Sequence, residues 1–107
     1  MPEPEIGENR IHATVLYIDH FGNVQLNLTR EDLQQAEVPP GKVVEIELGL
    51  DRYYAVAART FADARKGDVI LYEDSYRNIA LAISGGNAAK LFDAAPGQDV
   101  LIRLHVP

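Results

Sequence analysis

Val43-Val44-Glu45-Ile46-Glu47-Leu48 places Val44, Ile46 and Leu48 on one side and Glu45 and Glu47 on the other. Alternation at period two is the mark of a strand with one face buried. Gly49-Leu50-Asp51-Arg52 follows as a hairpin loop, and Tyr53 to Arg59 returns as the second strand. Upstream, Pro39-Pro40-Gly41 ends the segment Thr29 to Ala36 (TREDLQQA). Thr29 is an N-cap candidate, and Asp32, three residues on, can reach back as in a capping box, so a short helix is expected.

Working outward, His12 to Ile18 (HATVLYI) is rich in β-branched and aromatic residues. Asp19-His20-Phe21-Gly22-Asn23 carries turn residues. Val24 to Leu28 (VQLNL) then alternates apolar Val24, Leu26 and Leu28 with Gln25 and Asn27, which predicts a half-buried strand. Downstream, Thr60 to Asp68 reads as a loop whose one large apolar residue is Phe61. Val69 to Glu73 and Asn78 to Ile83 pair across a short turn. Ser84-Gly85-Gly86-Asn87 precedes one or two helical turns at Ala88 to Phe92. Pro96-Gly97 is a turn, and Asp99 to Val106 closes the chain with Val100, Ile102, Leu104 and Val106 on one face. The expected fold is all-β, a small antiparallel β-barrel of about seven strands with one or two short helices. No long helix is available to cover a parallel sheet, and no internal repeat stands out. Residues 1–10, with two prolines and three glutamates, read as a linker or flexible tail, poorly ordered unless something holds it; 11–107 form the domain.

The chain has 107 residues, about one domain. Its apolar share of 47% and charged share of 24% are those of a globular protein. Ten Lys and Arg against sixteen Asp and Glu give a net charge of −6, and there is no basic run. That balance lacks the electrostatic footprint of a nucleic-acid or anionic-membrane binder. With no cysteine, disulfides, thiolate nucleophiles and cysteine zinc sites are excluded. The acidic N-terminus is not a signal peptide, and a cytoplasmic location is expected.

Catalytic candidates are few. His12, His20 and His105 have no metal-ligand spacing, so no metal site is expected. The two serines, Ser75 and Ser84, lie outside any Gly-x-Ser-x-Gly elbow. Ser84-Gly85-Gly86-Asn87 is either an anion-binding turn or a tight turn with an N-cap. Asp19 and Asn23 either make their turn or point a carboxylate and an amide at one ligand; an aspartate suits an ammonium, and an amide suits a purine edge. Phe61 is either a plug over the core or a stacking platform for a flat ligand.

Three ordered segments resemble the C-terminal domain of the S-adenosylmethionine (SAM) hydrolases, also called SAM hydroxide adenosyltransferases, whose relatives include the SAM-dependent fluorinases and chlorinases. They are Val15-Leu16-Tyr17-Ile18-Asp19-His20-Phe21-Gly22-Asn23-Val24, then Thr60-Phe61-Ala62-Asp63-Ala64, then Leu71-Tyr72 through Ser75 to Asn78-Ile79-Ala80-Leu81-Ala82-Ile83 and Gly86-Asn87-Ala88-Ala89. The resemblance implies a barrel domain that follows a larger α/β N-terminal domain, in a homotrimer whose substrate lies between the N-terminal domain of one subunit and the C-terminal domain of the next. It implies that Asn23, Phe61, Asn87 and Ala88 meet the adenine. It implies that Asp19 holds the methionine ammonium, with Ser75, Tyr76 and Arg77 at the methionine end. Leu26 stands where the family usually has threonine, Arg77 where it often has glycine, and His20 is not the usual residue.

The expected function is therefore adenosyl recognition in an enzyme that converts SAM and water to adenosine and methionine. SAM is the ligand and no cofactor is expected. The resemblance implies that the acid, arginine and histidine that activate water or halide belong to the N-terminal domain, so the chain alone is expected to hold no catalytic residue and to be inactive. The alternative is a free-standing barrel that serves as a binding or assembly module with no SAM chemistry.

Overall fold

A computed structural model describes residues 3–106 of the chain. Eight strands occur in the order β1 (Glu5–Ile6), β2 (Arg10–Ile18), β3 (Val24–Leu26), β4 (Val43–Leu48), β5 (Asp51–Ala57), β6 (Val69–Glu73), β7 (Ile79–Ile83) and β8 (Asp99–Arg103). Helix α1 (Arg30–Gln35) follows β3, and α2 (Ala88–Phe92) follows β7. In the sheet, β2, β3, β7, β6, β5, β4 and β8 are neighbours in that sequence, and β8 returns to β2, so seven strands close a barrel. Closure removes the sheet edges that would otherwise invite aggregation.

One expectation about strand direction is corrected. The barrel is mixed, because β5 and β6 run parallel, with Val56 opposite Ile70 and Ala57 opposite Leu71. A parallel pair needs a crossover long enough to carry the chain back along the sheet. Residues 58–68 are that crossover, and Phe61–Asp63 form a 3₁₀ turn within it. Part of the segment expected as a tail is held: Glu5 and Ile6 pair with His12 and Ile11 of β2. Met1, Pro2 and Pro107 lie outside the described residues.

The core is built from the inward positions of the strands. Val44, Ile46 and Leu48 are fully buried, as are Val24, Leu26, Leu81, Val100 and Ile102. Leu33 of α1 and Phe92 of α2 join the same cluster. Phe92 meets Tyr53 edge to face, with ring centroids 5.3 Å apart. The helices start where their sequences direct. The Thr29 side chain accepts from the Asp32 backbone N–H at 3.2 Å, and Asp32 accepts from the Thr29 N–H at 2.9 Å, a complete capping box. Asn87 caps α2 by accepting from Lys90 N at 3.0 Å.

Gln25 and Asn27 depart from the half-buried reading of β3. Both are buried although their neighbours fill the core. Asn27 accepts from Thr14 N at 2.7 Å. Gln25 lies on the outer wall of the barrel, and what covers it there is the candidate site.

Candidate functional site

A β-bulge aims the first residue of the site. Val15 opposes Leu26, but Tyr17 opposes Gln25, so two steps along β2 match one step along β3. The extra residue turns Tyr17 outward beside Gln25. Gln25 opposes Ala80 on β7, and Ala80 opposes Tyr72 on β6. Tyr17, Gln25, Ala80 and Tyr72 thus form one row across four neighbouring strands.

Two loops rise over this row. Asp19-His20-Phe21-Gly22-Asn23 joins β2 to β3, and Asp74-Ser75-Tyr76-Arg77-Asn78 joins β6 to β7. They have the same construction. Asp19 Oδ1 accepts from Phe21 N and Asn23 N, each at 2.9 Å. Asp74 Oδ1 accepts from Tyr76 N at 2.9 Å and Asn78 N at 3.0 Å. Asp19 N donates to Asn23 O at 3.0 Å and Asp74 N to Asn78 O at 2.9 Å. The fourth position is left-handed in both, with φ 81° at Gly22 and 67° at Arg77. The signal that finds this pair in the sequence is Asp-x-aromatic-x-Asn, written twice.

The loops enclose a pocket of about 620 Å³ lined by Asp19, His20, Phe21 and Asn23 from one side, Asp74, Ser75 and Tyr76 from the other, and Tyr17, Ile18, Gln25 and Tyr72 below. Its lining holds two carboxylates and no lysine or arginine. Burial pushes the Tyr72 hydroxyl pKa above the ordinary tyrosine value, and the charges of Asp19 and Asp74 push it further. The two carboxylates make the pocket electrostatically negative around Tyr72. Among the described residues no three His, Asp or Glu side chains converge to hold a metal ion.

The expected residues fall into two groups. Asp19, Asn23, Ser75 and Tyr76 come together in the pocket. Phe61 is just beyond it, edge to face with Tyr72 at 5.7 Å between centroids, and 41% exposed. Arg77 is exposed and outside the lining. Asn87 and Ala88 lie behind the first loop, where Ala89 N donates to Gly22 O at 2.9 Å and ties α2 to it. Ala88 is fully buried there. Gln25, Tyr72 and Asp74 are lining residues that sequence reasoning does not single out.

Asp19 is more committed than a sequence can show. Its Oδ2 accepts from Asn23 Nδ2 at 3.1 Å and Gln25 Nε2 at 3.2 Å. With two backbone donors on Oδ1, all four acceptor positions of the carboxylate are filled. The turn reading and the ligand reading of this segment thus share one group.

Residues 13–101 match the SAM hydroxide adenosyltransferase C-terminal domain. The chain belongs to this family. It is 36% identical over 85 residues to the (R)-S-adenosyl-L-methionine hydrolase of Salinispora tropica, covering 79% of this chain and 30% of that protein. To the enzyme of the same name from Salinispora arenicola it is 38% identical over 90 residues, covering 84% of this chain and 31% of that one. The chain thus spans about a third of the length of these curated relatives. A structure of an uncharacterized conserved protein from Thermotoga maritima shares the fold, with TM-score 0.89 at 24% identity over 96% of this chain and 39% of that one. A conserved hypothetical protein from Thermus thermophilus superposes with TM-score 0.64 at 25% identity, over 95% of this chain and 38% of that one. The adenosyltransferase domain match spans both loops, the bulge that aims Tyr17 and the crossover that carries Phe61.

Proposed function

We propose that the pocket is the wall of a SAM site contributed by this domain to a SAM hydrolase. The observation that carries the reading is the lining with two carboxylates and no lysine or arginine, assembled from the segments that match the family. SAM has a flat purine and two positive centres. Asp19 and Asp74 supply the negative field for the charges. Asn23 Oδ1, without a hydrogen bond among the described residues, is available to an adenine amino group. Phe61, braced by Tyr72, offers a ring for the purine to stack on.

In the whole enzyme, water attacks the 5′ carbon of the adenosyl group. The carbon–sulfur bond breaks, methionine leaves as a neutral thioether and the water loses a proton. This domain binds and orients the substrate, and excluding bulk water from it is the task of a covering domain. Phe21 and Tyr76, 75% and 78% exposed at the rim, suit such a cover. An α/β domain from a neighbouring subunit of a homotrimer is the arrangement we propose. The chain by itself then releases no adenosine from SAM, and detection of adenosine by chromatography would overturn that.

Titration calorimetry with SAM and adenosine tests the reading. Binding by the wild-type chain that falls about tenfold or more in Phe61→Ala and in Asn23→Ala supports it, since stacking on one aromatic is worth ~1–3 kcal/mol. Absence of binding, even with a family N-terminal domain added, favours a barrel with no SAM chemistry.

A further inference from the structure

A second cavity, of about 640 Å³, opens between the end of α1 and the start of the crossover, and it shares no lining residue with the loop pocket. Small-ligand sites span ~300–1,000 Å³, so it is of that size. Leu33, Val38, Pro39 and Pro40 give it an apolar wall, and its charged residues are Arg30, Glu37 and Arg59.

Its frame is fixed by the way α1 ends. Val38 N donates to Leu33 O at 2.9 Å and Glu37 N to Gln34 O at 3.0 Å, with Glu37 left-handed at φ 61°. These are the two bonds of a Schellman motif, and Leu33 and Val38, both buried, stand at its apolar positions. Lys42 N then donates to Pro39 O at 3.1 Å and Gly41 N to Ala57 O at 2.7 Å, which ties the proline segment to β5. Ala58 N donates to Leu71 O at 2.8 Å, one residue before Arg59. The backbones that carry Glu37 and Arg59 are thus set without help from either side chain, which leaves both side chains to a ligand.

The charges do not cancel inside the cavity. Arg30 is compensated, because its Nε meets Glu73 Oε1 at 3.5 Å. The side chains of Glu37 and Arg59 make no ion pair or hydrogen bond among the described residues, with each other or with a neighbour, and both residues are exposed. One uncompensated anion and one uncompensated cation therefore line one apolar cavity without meeting. A plain anion would be drawn by Arg59 and repelled by Glu37, whereas a zwitterion satisfies both. The helix end does not itself call for a glutamate, since its left-handed position ordinarily takes glycine or asparagine.

We infer that this cavity binds a free α-amino acid with an apolar side chain. Arg59 takes the carboxylate, Glu37 takes the ammonium, and Val38, Pro39 and Pro40 wall the side chain. The site is independent of the SAM reading and stands or falls without it.

The test is an amide NMR titration of the full chain with L-leucine, with isocaproate, which lacks the ammonium, and with isoamylamine, which lacks the carboxylate. Leucine should move the Gln34, Val38 and Arg59 signals saturably. Each analogue should bind about tenfold or more weakly, the scale of one charge-assisted hydrogen bond. Glu37→Gln should bind leucine and isocaproate alike, and Arg59→Gln should bind leucine and isoamylamine alike. Absence of saturable shifts, or either analogue binding wild type as tightly as leucine, would overturn the inference. So would leucine shifts confined to Asn23 and Tyr76 in the loop pocket. Shifts at the cavity that follow protein concentration alone would give it to a second copy of the chain and overturn the amino-acid assignment. Should a variant fail to fold, the wild-type comparison of leucine with its two analogues decides.

Discussion

Gly22 and Asn87 compete for one small space behind the first loop. A β-carbon on Gly22 would overlap the Asn87 side chain, and Gly22 is left-handed at φ 81°. Gly22→Ala therefore meets two penalties, the left-handed conformation and the overlap. We expect a loss of about 2–4 kcal/mol in denaturant unfolding. The double variant Gly22→Ala with Asn87→Gly should recover the overlap part, because glycine is a tolerable N-cap.

Arg77 stands at the position that Gly22 fills in the twin loop, with φ 67°. A β-carbon in that region costs about 1–2 kcal/mol, while glycine adds back some entropy to the unfolded chain. Arg77→Gly should stabilise the domain by about 0.5–1 kcal/mol, read as a thermal midpoint several degrees higher. A lower midpoint would mean that the guanidinium makes a contact worth more than the strain.

Glu47 responds to acid. The ion pair with Arg103, at 2.8 Å, holds its carboxyl below the ordinary glutamate value; burial opposes this, and the charge of Arg52 adds to it. A carboxyl with a lowered folded pKa contributes stability that is complete above about pH 4.3, the unfolded value, and is lost as pH falls through the lower folded value. In Arg103→Gln the fall in unfolding midpoint between about pH 5 and pH 3 should be shallower than in wild type.

Tyr72 responds to base. Burial, then Asp19 and Asp74, raise its folded pKa. The unfolded tyrosine ionises first as pH rises, so stability is complete below about pH 10 and is lost as pH climbs through the folded value. Ultraviolet titration should show one tyrosine ionising later than the others, and Tyr72→Phe should remove that late step. Asp74→Asn should bring it earlier.

Thr29 and Asp32 cap α1 reciprocally. Thr29→Ala should cost about 1 kcal/mol in chemical unfolding. An unchanged midpoint would show that Leu33, buried in the core, holds the helix without its cap.

Much of the barrel is legible where one face of a strand meets the core and the other meets water. Val44, Ile46 and Leu48 announce their strand for that reason, and Thr29 and Asn87 announce their helices because a cap needs a short polar acceptor. Direction is not encoded in alternation, so the parallel β5–β6 pair is hidden, although the long crossover around Phe61 is visible. Gln25 misleads because a polar residue is expected outside and wet; here a loop and an acidic pocket cover it. The bulge before Tyr17 leaves no compositional trace, since its residues are ordinary strand formers. Of the pocket lining, Asp19 and Asn23 stand out by residue type, and Ser75 and Tyr76 through the family pattern. Tyr72 and Asp74 are given no role there, because their places come from cross-strand register and from the second copy of a loop.

The row Tyr17, Gln25, Ala80 and Tyr72 lies on the outside of a barrel whose inside is solid. Alternate positions along β3, β6 and β7 therefore answer to different demands, one set to the core and the other to the candidate pocket. Exchanging the exposed rim residues Phe21 and Tyr76 should leave the melting temperature nearly unchanged, whereas replacing Gln25 or Ala80, both buried, should lower it.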